Sequence, residues 1–369
     1  MVTQGKVSPE EMQRFYETTE ELGLAPGWLR RGEEHPEVVP FLWKWSEVEP
    51  LVMRSGEVVT PDRDVQRRVL RLANPGLAHG TTHTISTALQ LLLPGECAPA
   101  HRHTPTAIRW VLQGEGVYTT VEGDKLYMER GDLVLTPSWT WHDHNSEGDG
   151  PMIWLDGLDT PLVRNLDATF FENYPEDQQP VTGVGESERK YATGSLRPAW
   201  EEARLPYSNL LHYKWDRTYE ALCRLAQVDA STFDDVAMEY SDPATGGAVL
   251  RTMACWIQMI RPGVHTKAHR HTTSAVYQVF EGEGYSIING TRFDWTRGDL
   301  FVVPSWAWHE FGNDSGQEAI LFSIQDNPVM KALALFREEP YQENAGHQEV
   351  TGIFSRTGQS RRAPAAGSH

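Results

Sequence analysis

Hydrophobic and polar positions alternate with a period of two along short stretches of the chain. Ile108, Trp110 and Leu112 form one such set, and Val117, Thr119 and Val121 another. Alternation of this kind predicts strands with one face turned inward. Glycines punctuate these runs at Gly114, Gly116, Gly123-Asp124 and Gly131-Asp132, and the same punctuation returns at Gly282, Gly284, Gly290 and Gly298. Several short strands between closely spaced turn residues predict an antiparallel sandwich or a jelly-roll barrel. The barrel is preferred, because its inward side chains converge on one small cavity. Helical spacing (Met12, Phe15, Tyr16, Leu22) predicts a helix over 8–24, with Ser8 as cap and Pro9 in its first turn. A second helix is expected around 326–337. The stretch 177–204 is rich in Gly, Pro and charge and reads as part of a connection, and the tail GQSRRAPAAGSH reads as disordered.

The strand pattern occurs twice because the chain repeats itself. Residues 95–142 and 263–309 match, with His101/His269 and Gly114/Gly282 each 168 positions apart and Gly131/Gly298 and His142/His309 each 167 apart. A period this long corresponds to two whole domains, not to a solenoid. The expected division is an N-terminal helical arm and linker (1–66), a first barrel (67–176), a connection (177–235), a second barrel (236–340) and a tail (341–369). The fold class is thus mainly β, two tandem jelly-roll barrels with an N-terminal helical extension.

Composition narrows the function. The 369 residues carry a net charge of −18, which disfavours binding to nucleic acid or to an anionic membrane surface. Hydrophobic residues at 39% and charged residues at 23% are ordinary globular usage, so wholesale disorder is excluded. No apolar run is long enough to span a bilayer. The acidic, helically patterned start lacks the basic end and apolar middle of a secretion signal. Three scattered cysteines, Cys97, Cys223 and Cys255, form no CxxC motif and suit a reducing compartment. A cytoplasmic protein is expected.

The histidines carry the candidate chemistry. His101 and His103 lie two apart on a predicted strand and therefore share a face, and His142 from a neighbouring strand can complete a triangular face of a metal ion. Imidazole suits Fe, Zn, Cu and Ni, and three protein ligands leave open positions for other molecules. His269, His271 and His309 repeat the set as a second candidate site. Fourteen histidines make a chance HxH pair unremarkable, but a triplet at matching offsets in both halves is not. Counting by twos, Arg109 shares a face with His101, His103 and Ala107 and is expected to offer a bidentate fork to a carboxylate in the metal cavity. Its counterpart is Tyr277, which marks the first barrel as the catalytic one. His144, two residues after His142, is a candidate acid/base or hydrogen-bonding group. Trp110, Trp139 and Trp141 are expected to pack the barrel and exclude water.

The two blocks resemble the paired cupin motifs: Gly95, His101, His103 and Gly114 match the first, and Gly131, Pro137 and His142 the second. The chain as a whole, including LANPGL (72–77) and WLDGLD (154–159), resembles a bicupin of the gentisate 1,2-dioxygenase family, which includes salicylate and 1-hydroxy-2-naphthoate dioxygenases. The glutamate of the general cupin motif is replaced by Ala107 and Ala275. Three neutral ligands leave a site charge near +2, suited to an anionic chelating substrate and O2. The resemblance implies Fe(II), one per chain or two if the second triad also fills, and conversion of gentisate and O2 to maleylpyruvate. It places Asp156 behind Arg109 or a histidine, Arg67 and Gln90 in the substrate pocket, and suggests a homotetramer. Val69 is a further candidate for setting pocket size. Salicylate or 1-hydroxy-2-naphthoate are alternative substrates. A bicupin decarboxylase or isomerase is disfavoured by the missing glutamates, and a storage or ligand-binding bicupin by the intact triads.

Overall fold

The computed structural model describes residues 7–24, 27–28, 37–62, 64–200 and 207–356, and the backbone of 361–362. Residues 1–36 form a unit of their own. Within it, helix Pro9–Glu21 begins with a reciprocal cap: Glu11 N–H donates to Ser8 Oγ at 3.2 Å, and Ser8 N–H to Glu11 Oε2 at 3.0 Å. The helix buries no residue.

The remainder builds two barrels, each from two facing sheets. In the first barrel one sheet runs in the order His212–Tyr213, Leu133–Thr136, Ala107–Gln113, Met152–Leu158, Ser86–Leu92, Val69–Arg71. The facing sheet runs Phe171–Asn173, Cys97–His103, His142–Ser146, Val117–Val121, Asp124–Met128, Gly183–Val184. The second barrel repeats the plan, with Ala275–Glu281 and Ala319–Gln325 central in one sheet and His269–His271 beside His309–Gly312 in the other. The expected C-terminal helix is shorter than its periodicity implied, Asn327–Ala332. Residues 201–206 of the connection lie outside the described residues. So does the tail expected to be disordered, apart from the backbone of Arg361–Arg362 paired with Gly352–Ile353.

The strand Ala107–Gln113 shows what its alternation means. Ile108, Trp110 and Leu112 join a core shared with Val276, Phe280 and Phe322 of the second barrel. The apolar face thus turns to the neighbouring barrel and leaves Arg109 on the cavity side. Trp110 is wholly buried there, stacked on Phe322 at 4.2 Å between ring centroids, and donates its indole N–H to Gln278 Oε1 at 2.9 Å. This corrects the expectation that Trp110 packs its own barrel. Trp139 and Trp141 differ too: they flank the Arg102 guanidinium at 4.5 and 4.4 Å near the surface. Arg270 sits likewise between Trp306 and Trp308.

A second, unforeseen repeat ties the barrels together. Phe41–Trp43, ahead of the first barrel in sequence, pairs with Leu300–Val303 of the second, while His212–Tyr213 pairs with Leu133–Thr136 of the first. Each of these strands leads into a helix, Trp45–Val58 or Trp215–Leu225, whose first turn is held by one buried aspartate. Asp299 accepts from Trp45 N–H at 2.8 Å and from Lys44 Nζ at 2.6 Å; Asp132 accepts from Trp215 N–H at 3.0 Å and from Lys214 Nζ at 2.8 Å. A carboxylate at a helix start satisfies otherwise unpaired N–H groups and opposes the positive end of the helix dipole.

Emptying the shared core should be costly. Trp110→Ala is expected to destabilise the chain by about 3–5 kcal/mol, read from the midpoint of chemical denaturation. A loss below about 1 kcal/mol would contradict this account of the interface.

Candidate metal centre

His101 and His103 come from Cys97–His103, and His142 from the adjacent strand, where it pairs directly with His101. Their ring centroids are 4.7 Å (His101–His142), 4.9 Å (His103–His142) and 5.4 Å (His101–His103) apart. One nitrogen from each lies within 4.8 Å of the other two. The opposite nitrogens are anchored: His101 Nδ1 to Gln66 Oε1 at 3.0 Å, His103 Nδ1 to the Pro105 carbonyl at 2.7 Å, and His142 Nδ1 to the Thr140 carbonyl at 3.0 Å. With protons held on Nδ1, the Nε2 lone pairs are left to converge. Burial pushes all three below the ordinary imidazole range, His103 to about 4. The rings are therefore neutral, the form a metal requires. The donor set fits a metal ion: three neutral nitrogens with outer hydrogen bonds in place and no carboxylate in the cluster.

Gln66 went unrecognised in the sequence. It lies in the left-handed region at φ 62°, which a bulky residue rarely adopts and which marks a position held by its surroundings.

A cavity of about 470 Å³ opens above the triad, lined among others by Gln66, Arg67, Val69, Gln90, Arg109 and Asp156. Counting by twos placed Arg109 on one continuous strand with the histidines. In the structure Thr104–Pro105–Thr106 turns the chain, and Arg109 instead faces the triad from the opposite sheet. Arg109 and Asp156 are register partners, with Nε and Oδ1 3.6 Å apart. Arg109 Nη1 donates to Thr136 Oγ1, and Trp154 Nε1 to Asp156 Oδ1 at 3.0 Å. Arg67 donates Nη1 to the Pro99 carbonyl at 2.9 Å. Burial, then the Arg109 charge, lowers Arg67 to about 9. Burial raises Asp156 to about 6 against the pull of Arg109. Asp156 thus pairs with Arg109, while the half-buried Arg67, held by backbone carbonyls, adds a second positive charge to the same cavity. Arg67 Nη2, Arg109 Nε and Gln90 Nε2 are buried with no hydrogen-bond partner, which suits a cavity that takes an anion rich in acceptor oxygens. His144 is not among the lining residues: it lies behind His142, with Nδ1 2.8 Å from Thr119 Oγ1 and its ring 5.3 Å from Trp154. His79, Arg71, Arg164 and Phe171 also line the cavity. His79 stands on a loop, Arg71 and Phe171 on short strands at the sheet edge, and Arg164 on the six-residue helix Thr160–Asn165, all too short for periodicity to carry a signal.

In the second barrel His269, His271 and His309 converge in the same way, with centroids 4.3, 4.9 and 5.4 Å apart. Tyr277 replaces Arg109 and stacks on Phe301; Phe311 replaces His144, Ser323 replaces Asp156 and Val303 replaces Thr136. The metal-binding geometry is therefore duplicated, but the charged cavity is not.

Two tandem barrels, each closing on three imidazoles with the motif glutamate absent, define a metal-dependent bicupin. The cupin domain model matches residues 88–157 and 256–325. The chain is 41% identical to a 5-aminosalicylate 1,2-dioxygenase of Comamonas sp over 95% of this chain and 96% of that one. It is 40% identical to a gentisate 1,2-dioxygenase of Streptomyces sp, covering 88% and 94%. A salicylate 1,2-dioxygenase from Pseudoaminobacter salicylatoxidans, solved with gentisate, superposes with a TM-score of 0.84 at 36% identity, covering 92% of this chain and 96% of that one. The chain belongs to the gentisate 1,2-dioxygenase family and is a dioxygenase, with triads consistent with iron. Among the described residues no helix is long and apolar enough to cross a membrane.

The shift of Asp156 has a measurable sign. Its native value of about 6 exceeds the value of about 3.9 in an unfolded chain. Its contribution to stability is therefore complete below about pH 4 and lost as pH rises through about 6. Asp156→Asn is expected to flatten the denaturation midpoint of the metal-free protein over that window. An unchanged profile would refute the raised value.

Proposed function

We propose that His101, His103 and His142 hold one Fe(II), and that the chain cleaves the ring of gentisate with O2 to give maleylpyruvate. The observation that carries this reading is the pairing of an all-imidazole triad with two under-partnered guanidinium groups across one cavity. Iron held by these three imidazoles would supply open coordination positions for a hydroxylated aromatic acid and for O2. The substrates named for the Comamonas and Streptomyces relatives and the gentisate in the Pseudoaminobacter structure are all hydroxylated or amino-substituted benzoates of this kind.

The side chains divide the work as follows. Arg109 clamps the substrate carboxylate, with Arg67 adding a second positive group, and Gln90 donates to a ring substituent. Asp156 balances the pair of guanidinium groups and fixes the orientation of Arg109. His144 acts from behind His142 as a positioning residue. Phe171, which lines the cavity with its ring 4.9 Å from that of His101, limits water near the reacting atoms. Salicylate and 1-hydroxy-2-naphthoate are the second reading, favoured by the salicylate and 1-hydroxy-2-naphthoate dioxygenases that also match the chain. The second triad holds a metal without an anion receptor, so the first barrel carries catalysis. The chain acts in the cytoplasm as a homo-oligomer, in line with the tetramer that the family resemblance suggests.

Iron assay after anaerobic purification, with O2 uptake on gentisate, tests the proposal. His101→Ala or His142→Ala is expected to lose first-barrel iron and abolish turnover. Arg109→Ala should retain iron but lower kcat/KM by about 10–100-fold, the worth of one charged hydrogen-bond pair. Iron-loaded protein that consumes no O2 with gentisate, salicylate or 1-hydroxy-2-naphthoate would sink the ring-cleavage reading. His269→Ala is expected to lower the metal content by one per chain while leaving turnover intact.

A further inference from the structure

Outside both triads, the outer face of the second barrel brings together two imidazoles and a carboxylate. His265 Nε2 lies 3.3 Å and His347 Nδ1 3.0 Å from the same Glu310 oxygen, Oε2, and the two rings are 4.4 Å apart. The three ligand atoms all lie within 4.8 Å of one another. The Glu310 side chain is fully buried, whereas His265 and His347 are 36% and 30% exposed. Its other oxygen, Oε1, accepts from Gln348 N–H at 2.9 Å, which orients Oε2 toward the imidazoles.

The first barrel supplies an internal comparison. There Asp143 takes the place of Glu310 and accepts from Gln179 N–H at 3.0 Å. Gln179 and Gln348 then make matching bonds: Oε1 accepts from Gly123 N–H at 2.9 Å or Gly290 N–H at 3.0 Å, and Nε2 donates to the Thr120 carbonyl at 3.1 Å or the Ile287 carbonyl at 2.8 Å. A buried carboxylate thus fastens a returning segment onto each barrel in the same way. The flanking positions are not the same. The first barrel has Cys97 and Gln178, with Gln178 Nε2 directed at Cys97 Sγ and Asn145 Oδ1; the second has His265 and His347. Fastening the segment requires neither histidine, because the first barrel does it without them.

We propose that His265, Glu310 and His347 form a third metal-binding site, for a divalent ion of the zinc type. Two imidazoles and a carboxylate are an established zinc donor set, and the ligand atoms around a tetrahedral zinc are about 3.2–3.6 Å apart, close to the 3.3 and 3.0 Å separations here. The exposed sides of the two rings leave the remaining position to water. An ion bound there joins the loop before His269–His271, the strand His309–Gly312 and the C-terminal segment, and clamps that segment to the barrel.

The test uses the full, iron-loaded chain titrated with Zn²⁺, followed by bound zinc per chain and thermal midpoint. The double variant His265→Gln, His347→Gln is compared in parallel. The variant is expected to bind one zinc fewer, to lose the zinc-induced rise in midpoint, and to keep its iron and its turnover. Co²⁺ should give d–d absorption bands that are weakened in the variant. Equal zinc content and affinity in the two proteins would overturn the proposal, as would zinc uptake abolished by His269→Ala alone. If the double variant does not fold, His347→Gln, which installs the first-barrel residue, is expected to weaken zinc binding by at least about tenfold; unaltered affinity in that variant would likewise overturn it.

Discussion

Everything in the first barrel's chemistry depends on keeping three imidazoles neutral and aimed. Burial removes the proton, and an acceptor behind each ring holds the remaining one on Nδ1. Two of those acceptors are backbone carbonyls two residues from the histidine they hold, so the strand fixes the ring with little conformational freedom to lose. The third, Gln66, arrives from a segment outside the barrel strands and sits in a left-handed conformation. A donor set so constrained is formed before any ligand arrives, which lowers the cost of ordering it on binding.

The second constraint is charge. Arg67 and Arg109 line one cavity in which Asp156, paired with Arg109, is the nearby carboxylate. Burying such groups is unfavourable unless an anion completes the set. The second barrel keeps the triad and discards this cost by using Tyr277, Phe311 and Ser323. One scaffold therefore carries two different environments around the same nitrogen triangle, and the difference lies in the side chains that surround it.

Which parts of this were legible in the chain follows from how local each signal is. The histidine triads could be read because two members are adjacent on a strand and because the pattern occurs twice. Arg109 could be placed in the cavity by parity, although the turn at Thr104–Thr106 puts it on the opposite sheet. The tryptophans were misread because alternation marks a buried face without saying what buries it, and Trp110 faces the other barrel. His144 shares a strand face with His142 but lies deeper, a difference in depth that periodicity does not encode. The docking of Lys44-Trp45 on Asp299 spans 254–255 positions, and its only sequence trace is a short Lys-Trp echo at Lys214-Trp215.

The exchange of leading strands has a consequence for biosynthesis. As the polypeptide leaves the ribosome, Phe41–Trp43 has no edge to join until Leu300–Val303 has emerged, because its partner lies in the later barrel. An unpaired edge strand waiting in this way is a known liability for aggregation. The first barrel, completed by His212–Tyr213, can close while the second is still being made. Maturation is thus ordered by topology, and the second barrel cannot be excised as a contiguous module without leaving the margin at Leu300–Val303 bare.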